Sequence, residues 1–264
     1  MPIITLTTDF GIQNHALASV KGRILTSLSD SQIIDISHTI SGFNLQQAVY
    51  IFKQSYRHFP EGSFHFVLND LYAHPAKQLL YAFENGQHIF CADNGFMTML
   101  FDDKPMQLYK ITDRIVDYNF LNIADLFIST TASILHNMHV GLENIAVNQI
   151  VVKQLAKAFY SNNMLEAQVI YIDQFGNVVL NVTHKQFEEA RQGRNFKILF
   201  MRDEEITSIS EHYNDVQEGE KLCLFNTADH LEIAINRGNA ARLFGFQESN
   251  DRSLFYNTIK LFFE

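Results

Sequence analysis

Positive charge is in short supply in this chain of 264 residues, where 20 Lys and Arg stand against 29 Asp and Glu for a formal net charge of -9. That deficit argues against nonspecific attraction to nucleic acid or to an anionic membrane, because polyanions need cationic partners. It is compatible with a cationic or zwitterionic small substrate. Cysteine is scarcer still: Cys91 and Cys223 lie far apart in apolar, strand-like runs and read as reduced, buried thiols rather than a disulfide framework. No apolar run approaches the length of a membrane span, and the amino terminus enters a strand at once, without space for a signal peptide. The expected compartment is the cytoplasm. Several motifs are missing as well. There is no Walker-type phosphate loop, no GxGxxG turn and no GxSxG elbow. Neither paired CxxC nor HExxH occurs, and the eleven histidines are scattered without ligand spacing, so no metal site is expected.

What is present is an ordinary globular composition, 47% hydrophobic and 19% charged, in a length that favours two domains. Strand and helix signals alternate through the first portion. Ile3–Thr7, Gln32–Ile36 and Ser63–Leu68 read as strands, while His15–Leu28 and the segment from about Asn44 to Phe59-Pro60 carry apolar residues at helical spacing. Leu79–Phe83 and His88–Ala92 flank a hairpin-like Glu84-Asn85-Gly86 turn. The further apolar runs Phe96–Leu100 and Gln107–Ile111 precede a helix expected across Asp125–Met138. Such alternation predicts a three-layer α/β domain over residues 1–155 with a mainly parallel sheet. Beyond it, short β-like runs separated by Gly and Asn turns predict a smaller antiparallel β-barrel domain over 160–264, with one brief helix at His184–Arg191. Ser161-Asn162-Asn163 is the nearest thing to a linker.

Ligands of open α/β sheets gather at the carboxyl ends of strands. The opening stretch Ile3-Ile4-Thr5-Leu6-Thr7-Thr8-Asp9-Phe10-Gly11 places an acid there, with a glycine free to turn the backbone. Asp9 has the two acceptor oxygens that a ribose diol needs, although aspartate is equally common as a turn cap. Asp70 follows a strand and precedes Lys77 by seven residues. A carboxylate and an ammonium in one loop can orient and polarise a water, and equally can form a surface ion pair worth little. Asp93-Asn94-Gly95 and Asp173-Gln174-Phe175-Gly176-Asn177 have turn chemistry. Phe43 and Phe175 read first as core, and as aromatic pocket walls in the alternative.

Jointly these motifs resemble the S-adenosylmethionine (SAM) hydroxide adenosyltransferases, the adenosine-forming SAM hydrolases related to the fluorinating and chlorinating adenosyl enzymes. Six blocks carry the likeness in order. They are Thr8-Asp9-Phe10-Gly11 with Lys21-Gly22, Asp35-Ile36-Ser37-His38, Phe59-Pro60-Glu61-Gly62-Ser63-Phe64-His65, Asp93-Asn94-Gly95, Asp173-Gln174-Phe175-Gly176-Asn177 with Asn181, and Leu231-Glu232-Ile233-Ala234-Ile235-Asn236-Arg237-Gly238-Asn239-Ala240-Ala241. The resemblance implies hydroxide attack at C5′ of SAM to give adenosine and methionine, with no cofactor and SAM as substrate. It also implies a homotrimer with the nucleoside held at the subunit interface. Asp9 matches the ribose-binding aspartate, and Phe43 an aromatic against the sugar or base. Asp173, Phe175 and Asn177 match the motif that holds adenine and the methionine portion. Thr227 stands at a hydroxyl position near the methionine carboxylate, and Ala240 in the segment whose backbone meets adenine. Asn14 replaces an aspartate that faces the methionine amine. Of the family's water-activating Asp, Arg and His, Asp70 keeps the first, while Lys77 and Asn122 occupy the positions of the others. His74 or Lys77 would then supply basicity. The alternative is a weakened paralogue that binds an adenosyl compound without efficient turnover.

Overall fold

A computed structural model describes residues 1–73, 78–102, 107–113, 117–138, 140–200, 204–247 and 258–264. The chain forms two compact units, Met1–Leu155 and Ala156–Glu264.

In the first unit, strands β1 (Ile3–Thr8), β2 (Gln32–Ser37), β3 (Phe64–Leu68), β4 (Leu79–Glu84), β5 (Gln87–Ala92), β6 (Gln107–Ile111) and β7 (Leu142–Asn144) make one mixed sheet. Its order is β2-β1-β3-β5-β4-β6-β7. The β2-β1-β3-β5 half is parallel, and β4, β6 and β7 add antiparallel pairings beyond β5. Period-two alternation sends the strands' side chains to opposite faces. Ile4, Leu6, Phe64, Phe66 and Leu68 pack on one face with helices α1 (His15–Ser27) and α4 (Phe120–Leu135). Val67, Ile89 and Cys91 pack on the other with α2 (Leu45–Ser55) and α3 (Phe96–Phe101). Three layers result.

Asparagine side chains set the starts of two helices. The Phe96–Leu100 run is helical, its first N–H accepted by the Asn94 side chain. Helix α4 begins five residues before Asp125, because the Asn119 side chain accepts the N–H groups of Leu121 and Asn122.

In the second unit, β8 (Phe159–Ser161), β9 (Met164–Ile172), β10 (Val178–Thr183), β11 (Phe196–Phe200), β12 (Glu204–Ile206), β13 (Lys221–Phe225), β14 (His230–Ile235) and β15 (Thr258–Phe263) form an antiparallel sheet. Its path is β12-β11-β15-β9-β10-β14-β13, with β8 on β9. The sheet curls into a nearly closed barrel, since the Lys221–Glu204 ion pair and the Ile209–Cys223 bridge bring its two ends together. Val169, Leu180, Ile198, Ile233, Ile259 and Leu261 fill the interior, with Phe187 of α5 (His184–Arg191) among them. Ser161-Asn162-Asn163 is not a linker. Asn162 and Asn163 both have positive φ, 50° and 59°, as a two-residue turn between β8 and β9 requires. Helix α6 (Ala240–Phe244) follows β14. Both cysteines are buried and free. No helix among the described residues is long and apolar enough to cross a membrane.

Candidate active site

In the first unit the functional side chains follow the parallel strands' carboxyl ends. Asp9 leaves β1, and its Oδ2 accepts the Asp70 N–H beyond β3 at 3.0 Å. Asp70 adopts the left-handed backbone, φ 45°, to present that N–H. Asn94, beyond β5, donates through Nδ2 to the carbonyls of Asn69 and Asp70 at 2.9 and 3.2 Å. One hydrogen-bonded frame therefore spans three strand ends. Burial pushes the Asp9 carboxyl above its ordinary value, against the lowering effect of the Asp70 N–H.

Aromatic side chains join this frame to the start of α4. Phe120 packs on Phe10 and His15 at centroid separations of 5.5 and 6.4 Å, and Tyr118 on Tyr72 at 6.0 Å. Burial, helped by the nearby Tyr72, Cys91 and Asp93, pushes the Tyr118 phenol up to about 12. Phe43, in the loop between β2 and α2, is 80% exposed and held at φ 66°. A bulky residue in that region is strained, and the ring lies outside the core in which the sequence first places it.

Other expected residues carry local duties. Asn14 caps α1 by accepting the Ala16 N–H at 3.0 Å. Asn122 sits in the first turn of α4 and donates through Nδ2 to the Asp117 carbonyl at 2.8 Å. Asp93 accepts from Val151 N–H at 2.8 Å and from Gln78 at 3.4 Å. Lys77 and His74 lie outside the described residues. A chain of contacts joins residues of the first two motif blocks. Thr8 Oγ1 is 3.0 Å from His38 Nδ1, His38 Nε2 is 3.0 Å from Asp35 without hydrogen-bond alignment, and Asp35 pairs with Lys21 at 2.7 Å.

In the second unit the Asp173–Asn177 turn is built by its own carboxylate. Asp173 Oδ1 accepts the N–H groups of Phe175 and Asn177 at 2.9 and 2.8 Å, and Oδ2 accepts Asn177 Nδ2 at 3.0 Å. Phe175 is left 65% exposed at the tip. Asp173, Phe175 and Asn177 line a cavity of about 640 Å³ with Tyr213, Asn236 and Arg237. Thr227 is exposed in the β13–β14 turn, and Ala240 is buried at the start of α6. Neither belongs to the described lining. Ala241 does donate its N–H to the Gly176 carbonyl at 2.9 Å, joining α6 to the turn.

Tyr213 and Glu232 went unassigned from sequence. Tyr213 stands in a polar loop without periodicity, whereas a lone acid inside the apolar run Leu231–Ile235 was a usable signal. Among the described residues, no three His, Cys, Asp or Glu side chains gather as a metal-ligand set.

Comparison with known proteins assigns both units. Residues 4–145 match the SAM hydroxide adenosyltransferase N-terminal domain, and residues 167–252 match the C-terminal domain of the same family. A relative from Methanocaldococcus jannaschii, named (R)-S-adenosyl-L-methionine hydrolase, is 26% identical over 97% of each chain. A relative of the same name from Thermus thermophilus is 21% identical over 91% of this chain and 94% of its own. Among solved structures, a conserved protein from Thermotoga maritima aligns with a TM-score of 0.81 at 21% identity, covering 98% of this chain and 99% of that one. A conserved hypothetical protein from Thermus thermophilus aligns with a TM-score of 0.73 at 19% identity over the whole of both chains. These two likenesses establish the fold.

Proposed function

Since the chain belongs to the SAM hydroxide adenosyltransferase family, we propose that it hydrolyses S-adenosyl-L-methionine to adenosine and L-methionine by attack of water at C5′. The observation that carries this reading is the bond from the Asp70 N–H to the Asp9 carboxylate. It supports reading Asp9 as the acid that grips the ribose and Asp70 as the acid that handles the water, since the two share one frame. Positioning of this kind supplies much of the rate of a displacement. In the reaction the water oxygen bonds to C5′ and the C5′–S bond breaks. Its electron pair goes to sulfur, so methionine leaves as a neutral thioether without a general acid. The water's proton passes to Asp70. Asp9 holds the ribose diol. Phe43, Phe175 and Asn177 hold the base, and the Thr227 turn holds the methionine carboxylate. The site lies between subunits of a homotrimer, for which light scattering should return three times the 30.4 kDa chain mass.

One observation favours a second reading, a protein that binds an adenosyl compound and turns it over poorly. Asn122, at the position of the family's histidine, is bonded to the Asp117 carbonyl and exchanges no proton near neutral pH. Chromatography of SAM incubated with the protein separates the two. The hydrolase releases adenosine and methionine in equal amounts and loses turnover in Asp70→Asn, whereas the binder returns SAM intact.

A further inference from the structure

Glu232 is 4% exposed although it alternates, on β14, with Leu231, Ile233 and Ile235 of the barrel interior. A buried carboxylate is costly unless its oxygens are bonded, and barrel packing gains nothing from one at this position. Both of its oxygens are bonded. Tyr213 donates its hydroxyl to Oε1 at 2.7 Å, and Asn226 donates Nδ2 to Oε2 at 3.1 Å.

Each partner leads to a different part of the site. Tyr213 is in the wall of the cavity with Phe175 and Asn177. Asn226 opens the turn that contains Thr227, and its Oδ1 accepts the N–H groups of Ala228 and His230 at 3.0 and 3.2 Å. A third segment lies nearby. The Asp173 carboxylate, which builds the Phe175 turn, adds to the burial that raises Glu232 above its ordinary value.

We propose that Glu232 is a positioning residue that, through Tyr213, holds the cavity wall that receives the base and, through Asn226, holds the Thr227 turn that receives the amino-acid end of the substrate. It acts through these two side chains rather than by touching the ligand. The assignment rests on the reading of this site as one for SAM, and its test separates the two.

Glu232→Gln keeps both bonds by turning its amide, with the oxygen toward Asn226 and the NH2 toward the Tyr213 oxygen. Glu232→Leu keeps neither. Calorimetric titration with SAM should show Glu232→Leu weakened at least about tenfold, the loss of one hydrogen bond to a charged group. Adenosine, which lacks the amino-acid end, should weaken only about threefold, and Glu232→Gln should bind both within about twofold of wild type. Tyr213→Phe, which removes a single oxygen, should weaken both ligands and covers the case in which the leucine variant does not fold. Unchanged affinities in Glu232→Leu and Tyr213→Phe would make Glu232 a scaffold residue. A glutamine variant as weak as the leucine one would mean that its charge acts on the ligand. Either result overturns the proposal.

Amide hydrogen exchange without ligand gives the independent reading. Ala228 and His230 should exchange about tenfold faster in Glu232→Leu and at the wild-type rate in Glu232→Gln. If the wild type binds neither SAM nor adenosine, the functional reading falls, and exchange still decides whether Glu232 positions the turn. Unchanged exchange in Glu232→Leu would refute that positioning.

Discussion

The Asp9 carboxylate stands in surroundings that disfavour its charge. Burial raises its carboxyl above the ordinary 3.8, and the Asp70 N–H offsets this in part. On the proposed reading a ribose diol would donate two hydrogen bonds to the ionised form and favour it, so that binding would draw the proton off. Adenosine affinity should therefore be full above the raised pKa and fall by about tenfold per pH unit below it. Asp9→Asn should bind at least about tenfold more weakly and lose this pH dependence; a wild-type affinity flat across the range would remove Asp9 from the ribose. The placement of Asp9 and Asp173 just past strand ends was legible in sequence because each stands where a β-branched run meets glycine or asparagine. Phe43 reads first as core from sequence, and the structure instead leaves its ring exposed at a positive φ that composition does not reveal. Asn14 and Asn122 show the converse. Their positions were identified, but a cap and a carbonyl staple are set by local backbone geometry.

Among the elements, β3 carries a polar residue in a wholly buried strand. His65 lies between Thr5 Oγ1 at 2.7 Å and Gln87 Oε1 at 2.9 Å, an arrangement that suits a neutral ring protonated at Nε2. Burial, opposed by the Gln87 bond, lowers its pKa from 6.5 to about 4. The unfolded chain thus binds the extra proton first. The stability is intact above 6.5 and drains away as pH falls toward about 4, by roughly 3 kcal/mol in all. Chemical denaturation across that window should show the loss in wild type and a shallower slope in His65→Gln; equal slopes would assign the loss to other groups.

The turn before β10 depends on Gly176, at φ 83°, where an added Cβ would stand 2.2 Å from the Asn239 side chain. Asn239 caps α6 by accepting the Arg242 N–H at 2.7 Å, so it cannot yield without releasing the helix. Gly176→Ala should lower stability by about 2 kcal/mol or more, read as a fall in the thermal midpoint, and an unchanged midpoint would contradict the close packing. The longer elements were readable because period-two and helical spacing persist through them. The three-residue strands β7, β8 and β12 are too short to establish a period, and the start of α4 was set by the Asn119 cap.

At the scale of the molecule, each unit carries part of the proposed site. The sheet of Met1–Leu155 brings acids and amides to its parallel strand ends, and the barrel of Ala156–Glu264 brings an aromatic-walled cavity. The two-part organisation was legible from the change from helix-strand alternation to short β runs. The end expected for the first domain, residue 155, coincides with the end of the unit Met1–Leu155, although residues 150–158 carry none of the glycine or proline punctuation of a linker, whereas the asparagine pair that imitates one forms a hairpin turn. A net charge of -9 suits a cationic sulfonium substrate and its release as neutral adenosine and zwitterionic methionine. Incubation of the wild-type protein with SAM in ¹⁸O-labelled water tests the reaction at the bond that defines it. One ¹⁸O atom in the 5′-hydroxyl of adenosine, with none in methionine, is the predicted result. SAM recovered intact, or adenosine formed without the label, would contradict the account.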